Sequence, residues 1–308
     1  MTGELIRRIL VPTDLSDFGA VALRWAAMFH RRLGARITLL YANQPYFPID
    51  VIEAPAAFAI QRSHELRERL SADLSAYAAE QLPHCGLAVD TLMVDADPAH
   101  AILQTAVNVD ADLILMATHA RTGWRRALLG SITENVLHHS DRSVLTVPPG
   151  SGEEPKIGTI LCPVNFTDIG RQALEEAATL AASFHADLLV LHVADLEDAQ
   201  FGTNLEEDFA AWVEPGIRER CRYSQLVVRG NAAEEVLLIA DQTEADLIVL
   251  GAQHKRFSDA TVIGGTTERV VRFAKLPVWT VVAPVKAGKG ARDANETDSV
   301  IRLASNAR

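Results

Sequence analysis

Three short stretches of this chain bring together residue types that can hold an anion and the sugar attached to it. Pro12-Thr13-Asp14 ends an apolar run with a carboxylate, which can accept from a ribose hydroxyl or assist a magnesium ion. Ala42 ends a second apolar run. Ala117 ends a third and opens a long loop, Ala117-Thr118-His119-Ala120-Arg121-Thr122-Gly123-Trp124-Arg125-Arg126-Ala127-Leu128-Leu129-Gly130-Ser131. Small residues at 117, 120 and 130 let backbone N–H groups approach a ligand closely. Gly130-Ser131, followed by Ile132-Thr133, stands where a helix is expected to begin, and unpaired N–H groups and the helix dipole favour anions there. Arg121, Arg125 and Arg126 add positive charge. The chemistry this points to is binding of a polyphosphate. A Walker-type loop, G-x-x-x-x-G-K-[ST], is absent, so ordinary P-loop hydrolysis is not indicated.

Each of these residues also has a plainer reading. Ser131-x-x-Glu134 is a capping box that any helix start can use. The three arginines fit a solvated face. Asp14 suits a turn or a cap, and His119 suits a structural hydrogen bond as well as a ligand contact. His138-His139 fit a helix C-terminus, where the dipole favours them over a metal role. No Ser–His–Asp set and no paired carboxylates can be placed, so no catalytic residue is assigned.

The elements that must position these groups follow from the patterning. Short runs rich in Val, Ile and Leu at 8–12, 36–42, 88–94, 112–117 and 143–147 lack strict alternation, which suits parallel strands covered on both faces. Between them, 17–33, 62–82, 98–110 and 131–140 read as helices. In the first, Val21, Trp25, Met28, Phe29 and Leu33 recur at helical spacing, with Asp17 as a candidate cap and Gly34 just past the end. Strand–helix alternation with right-handed crossovers predicts an open parallel sheet with helices on both faces. In such a sheet ligands bind beyond the carboxyl ends of the strands, where Asp14, Ala42 and Ala117 all fall.

The pattern occurs twice. Arg8-Ile9-Leu10-Val11-Pro12-Thr13-Asp14 returns as Thr159-Ile160-Leu161-Cys162-Pro163-Val164-Asn165, and Ala111-Asp112-Leu113-Ile114-Leu115-Met116-Ala117 returns as Ala245-Asp246-Leu247-Ile248-Val249-Leu250-Gly251. Gly130-Ser131-Ile132-Thr133-Glu134 matches Gly264-Gly265-Thr266-Thr267-Glu268. The change of offset means that the second copy lacks about seventeen residues in its middle. Its strands are expected at 157–163, 187–193, 224–229, 246–251 and 278–283. Residues 1–149 form the first predicted domain and 156–285 the second. Pro148-Pro149-Gly150-Ser151-Gly152-Glu153-Glu154-Pro155 links them, and 286–308 read as a disordered tail. Pro45 to Phe58 reads as a long apolar-rich loop, either a cover for the site or an oligomer contact.

Composition narrows the functional classes. With 308 residues, 48% hydrophobic and 22% charged, the chain is long enough for two cores. No apolar run reaches the ~18–20 residues that span a membrane, and the opening residues do not read as a signal peptide. Three widely spaced cysteines without a C-x-x-C suggest reduced thiols, so a cytosolic location is expected. A formal net charge of −11 argues against a nucleic-acid partner.

The loop spacing after the fourth strand, the strand-one Pro-x-Asp and the Asp97-Pro98-Ala99 lead-in to the third helix resemble the universal stress protein family. Its nucleotide-binding members carry G-x2-G-x9-G-[ST] at that loop. The resemblance covers both halves. It implies a flavodoxin-like, adenine nucleotide α-hydrolase-like α/β fold with two doubly wound domains, each holding a five-stranded parallel sheet. It also implies ATP or AMP at the strand ends and pairing through the fifth strands, internally in a tandem chain, with a homodimer also open. The first two glycines of the motif are Ala117 and Ala120 here, while Gly130-Ser131 is intact. In the second half the loop reads Gly251, His254, Gly264, Gly265, with Asn165 in place of Asp14. Pro163, Val193 and Thr266 complete that weaker candidate site. The resulting expectation is a stress-response regulator that binds an adenine nucleotide mainly in its first half. The alternatives are a tandem module that binds none and acts through unknown protein partners, or a slow ATPase.

Overall fold

The structure is a computed structural model, and it describes residues 6–44, 56–82, 89–118, 129–151, 154–194, 205–252, 254–257 and 260–282. The first half runs β1 (Arg8–Thr13), α1 (Asp17–Leu33), β2 (Arg36–Asn43), α2 (Ala56–Gln81), β3 (Val89–Asp95), α3 (Pro98–Asn108), β4 (Leu113–Ala117), α4 (Ser131–His139) and β5 (Ser143–Val147). The second runs β6 (Thr159–Pro163), α5 (Asp168–Phe184), β7 (Asp187–Ala194), α6 (Leu205–Trp212), α7 (Pro215–Arg220), β8 (Arg222–Arg229), α8 (Ala232–Gln242) and β9 (Leu247–Ala252). It ends with β10 (His254–Phe257), β11 (Ala260–Ile263), α9 (Gly265–Phe273) and β12 (Val278–Val282). The ten long strands form one sheet in the order β3-β2-β1-β4-β5-β12-β9-β6-β7-β8. Every neighbouring pair is parallel except β5 and β12, which meet antiparallel with Trp279 opposite Leu145. Each half thus supplies five parallel strands, and the fifth strands join them.

The near-continuous apolar strands are buried on both faces, as parallel sheets require. On one face α1 and α5 cover the sheet centre through Leu23, Phe29, Leu174 and Ala177; on the other lie α3, α4, α8 and α9, with Ile102, Val136, Val236 and Val270. Two rings of the second half close on Phe29 of the first: Phe184 at 5.5 Å and Trp279 at 5.9 Å between centroids, both edge-on. Glu176 of α5 lies at the same seam. Its carboxylate accepts from Trp279 Nε1 at 2.9 Å and from Ser143 Oγ of the first half at 3.3 Å, and burial pushes its pKa up.

The repeated Ala-Asp-Leu has a structural cause. Asp112 accepts the backbone N–H groups of Arg7 and Arg8, both at 2.8 Å, and clamps the start of β1 beside β4. Asp246 does the same for Gly158 and Thr159 at 2.8 and 3.0 Å. Each carboxylate satisfies two amides at the start of its strand, so the duplicated sequence marks a duplicated register lock.

Four local expectations change. The cap of α1 is Ser16, whose hydroxyl accepts from Gly19 N–H; Asp17 sits inside the first turn, where its charge suits the dipole. Helix α2 begins at Ala56, so the expected loop is shorter by Ala56, Ala57 and Phe58; residues 45–55 lie outside those described, as does the tail 286–308. In the second half two short helices, α6 and α7, stand where the first has α2, which absorbs much of the length difference. The counterpart of the candidate phosphate loop is an antiparallel hairpin, with His254 opposite Ile263 and Phe257 opposite Ala260.

Candidate functional site

At the carboxyl end of β1, Thr13 Oγ1 accepts from Leu15 N–H at 3.0 Å, which holds a turn whose Leu15 has φ +61°. Asp14 Oδ1 accepts from the Ser16 amide at 3.0 Å and from the Ser16 hydroxyl, the same hydroxyl that caps α1. One carboxylate oxygen therefore builds the turn. The other, Oδ2, is buried without a hydrogen-bond partner among the described residues. An unpaired buried acceptor costs roughly 1–3 kcal/mol, so this atom is suited to a donor from outside the chain. Gly19 is required at its place because a Cβ would come within 2.7 Å of Thr13 Oγ1. Tyr77 of α2 donates to Ser16 O at 2.8 Å from the far side, and burial raises the pKa of its hydroxyl.

Across from this turn, β4 delivers Ala117 and Thr118 to the same edge of the sheet. Thr118 N–H donates to Val147 O, and Gly130 N–H donates back to Thr118 O, both at 3.1 Å, so the two ends of the long loop are pinned together. Gly130 then becomes the N-cap of α4 with no side chain capping the helix. The capping box is not formed: Ser131 is the first helical residue, exposed, and Glu134, still in the first turn, lies one position past the place the box requires. The first amides of α4 are left without intrahelical partners at an open helix start, which favours an anion. Thr133 turns inward; its hydroxyl is buried and donates to Ala117 O at 3.3 Å, which fixes the helix start to the strand end. Ile132 is partly exposed at the surface.

Glycine at 130 is not needed for backbone conformation, because its φ is −63°; a Cβ there would stand 3.4 Å from Thr118 O. Ala117 likewise is not among the positive-φ residues, so an alanine costs nothing there in backbone strain. Pro12 and Ala42 are half-buried at the ends of β1 and β2. His119, Ala120, Arg121, Arg125 and Arg126 fall outside the described residues.

The second half repeats the frame but changes its chemistry. Thr167 caps α5 and Thr267 donates to Gly251 O at 3.2 Å, as Thr133 does to Ala117. Gly264 is again an N-cap without a side-chain cap, followed by Gly265 and the exposed Thr266. Pro163 and Val193 stand half-buried at the ends of β6 and β7. Asn165 is exposed, and its Oδ1 accepts from Thr167 Oγ1 at 2.6 Å, so the buried orphan oxygen of Asp14 has no equivalent there. Gly251 is closely packed: a Cβ would meet Ile169 Cγ1 and O at 2.8 Å. The signals that sequence reading passed over were the threonines at 133 and 267 as strand-to-helix ties and Tyr77 as a support of the strand-one turn. Among the described residues no group of three or more potential metal ligands is gathered, and no helix is long and apolar enough to cross a membrane.

These features define a tandem, flavodoxin-like α/β protein whose first half ends β1 in a carboxylate and, after the neighbouring strand β4, opens α4 with an uncapped helix start. The model of the universal stress protein family matches residues 5–148 and 156–282, and the chain belongs to that family. Over 289 residues it is 25% identical to a universal stress protein of Mycobacterium tuberculosis, covering 88% of this chain and 94% of that one. A universal stress protein of Methanocaldococcus jannaschii is 29% identical over 147 residues, covering 47% of this chain and 83% of the relative. A solved universal stress protein from Archaeoglobus fulgidus shares the fold with a TM-score of 0.69 at 20% identity, covering 89% of this chain and 98% of that one.

Proposed function

We propose that the first half binds an adenine nucleotide, ATP or AMP, at its strand ends, and that the chain acts as a regulator in a stress response rather than as a fast enzyme. The observation that carries this reading is the buried Asp14 Oδ2, without a partner among the described residues, at the end of β1, the strand beside β4, whose loop leads to the uncapped start of α4. A nucleotide brings what each lacks. Its ribose hydroxyls or exocyclic amine donate to the carboxylate, and its phosphates accept from the helix-start amides. Ala42, Pro12 and Thr13 would wall the base and sugar, Ser131 and Gly130 the phosphates, and a magnesium ion would travel with the phosphates if ATP is the ligand. The resemblance to nucleotide-binding members of the family supports the same placement. The second half, with Asn165 exposed and Gly251 tightly packed, would bind weakly or not at all.

Calorimetric titration of ATP and AMP into wild-type protein and Asp14→Ala tests the reading. Removing a hydrogen bond to a charged acceptor is worth about 1.5–3 kcal/mol, so affinity should fall roughly 10- to 150-fold. Equal affinity in the variant, or no binding to the wild type, would sink it.

A further inference from the structure

The cleft between α4 and α9, on the sheet face opposite α1 and α5, is built twice over. Leu129 and Ile263, Leu137 and Val271, and Glu134 and Glu268 line it as pairs at the same sequence offset, one of each from each half. The pseudo-symmetry breaks at two places: Thr267 lines the cleft without its counterpart Thr133, and His138 without Arg272. His138 of α4 accepts the backbone N–H of Ile263 at 3.3 Å, so the last residue of the β10–β11 hairpin is tied to the first half. The residue equivalent to His138 is Arg272, whose guanidinium has donors only and cannot take the N–H of Leu129 in return. Arg272 instead pairs with Glu268 at 2.8 Å and reaches Glu134 across the cleft at 3.9 Å.

We infer that His138 is a positioning residue through which the second half's hairpin sets the placement of α4, the helix whose start forms the first half's anion site. The segment that would be a phosphate loop in the second half is folded into a hairpin and its end is turned onto the other half's helix. The hydrogen bond runs from the second half to the first, and the pairing of Arg272 with Glu134 holds the same helix one turn away. This inference rests on the nucleotide reading for its consequence, but the coupling itself can be read without a ligand.

The test uses the full chain as wild type, His138→Ala and His138→Asn, since asparagine can place an acceptor oxygen near the position of Nδ1. Amide hydrogen exchange is followed over 131–140 and 260–263 without nucleotide, and ATP affinity is measured on the same samples. A neutral hydrogen bond of this kind corresponds to a factor of roughly five. The alanine variant should therefore exchange several-fold faster in both segments and bind ATP several-fold more weakly, with asparagine restoring both. Unchanged exchange over 131–140 in His138→Ala overturns the coupling even if ATP binds normally. Faster exchange with unchanged ATP affinity overturns the positioning role. If wild-type protein binds no ATP, the nucleotide reading falls, and the exchange comparison alone decides whether the hairpin places α4.

Discussion

Replacing Asp112 by alanine should destabilise the first half by about 2–4 kcal/mol. The carboxylate accepts two backbone amides, Arg7 and Arg8, at 2.8 Å each, and the Asp112 amide itself donates to Arg8 O at 2.9 Å. A hydrogen bond to a charged group contributes about 1.5–3 kcal/mol. Two bonds to one oxygen, one of them near solvent, should give less than the doubled figure. The consequence reaches the site, because the registered pairing of β1 with β4 consists of Ile9 opposite Leu113 and Leu10 opposite Ile114. The carboxyl ends of those strands carry Asp14 and Ala117. Urea denaturation of wild type, Asp112→Ala and Asp112→Asn measures the effect, with asparagine expected to recover part of the loss through its one amide oxygen. Asp246→Ala should cost a similar amount through Gly158 and Thr159. A change below about 0.5 kcal/mol for Asp112→Ala, with an unaltered m-value, would refute the clamp as the reason that Ala-Asp-Leu recurs.

Glu176 predicts a pH dependence. Burial raises its folded-state pKa, so between the ordinary carboxylate value and that raised value the folded chain holds a proton that the unfolded chain has lost. Stability should therefore fall as pH rises through this window and level off on either side. Glu176→Gln should flatten the slope and be at least as stable as wild type above the window, as thermal denaturation between about pH 4 and 8 would reveal; a steeper slope in the variant would contradict the assignment. Thr133→Val keeps the shape and removes the bond to Ala117 O. It should cost about 1 kcal/mol and weaken nucleotide binding several-fold while Thr133→Ser does not, as denaturant titration and calorimetry can check.

Much of this was legible because parallel strands buried on both faces write themselves as apolar runs. Those runs match all ten long strands to within two residues, the largest differences being at the starts of β6 and β8. The duplication was legible because the same side chains perform the same backbone duties in both halves. Asp112 and Asp246 show this at the strand starts, and Thr133 and Thr267 at the helix starts. Other features depend on three-dimensional neighbours. Ser131-x-x-Glu134 has the spacing of a capping box, yet the chain enters α4 one residue earlier than the motif assumes, and Gly130 takes the cap position. The tie between Ile263 and His138 joins residues 125 apart and leaves no local pattern. The unpaired oxygen of Asp14 is likewise a fact of packing: sequence supplies the carboxylate, but only the fold shows that one oxygen is used by Ser16 and the other is left over.

Binding of a nucleotide in the first half at the start of α4 is tested most directly by Gly130→Asp. The φ of −63° and ψ of 142° at Gly130 suit any residue, a Cβ would lie no closer than 3.4 Å to its nearest neighbour, and aspartate is a preferred N-cap, so the helix should remain intact. The new carboxylate would occupy the place of the phosphates and repel them. Protein purified without added ligand is denatured, and the released nucleotide is identified and counted by mass spectrometry, with ATP added back to parallel samples. About one adenine nucleotide per wild-type chain is expected, and close to none for Gly130→Asp at unchanged stability. Equal occupancy in the two proteins, or a wild type that neither carries nucleotide nor takes up added ATP, would contradict binding at this site.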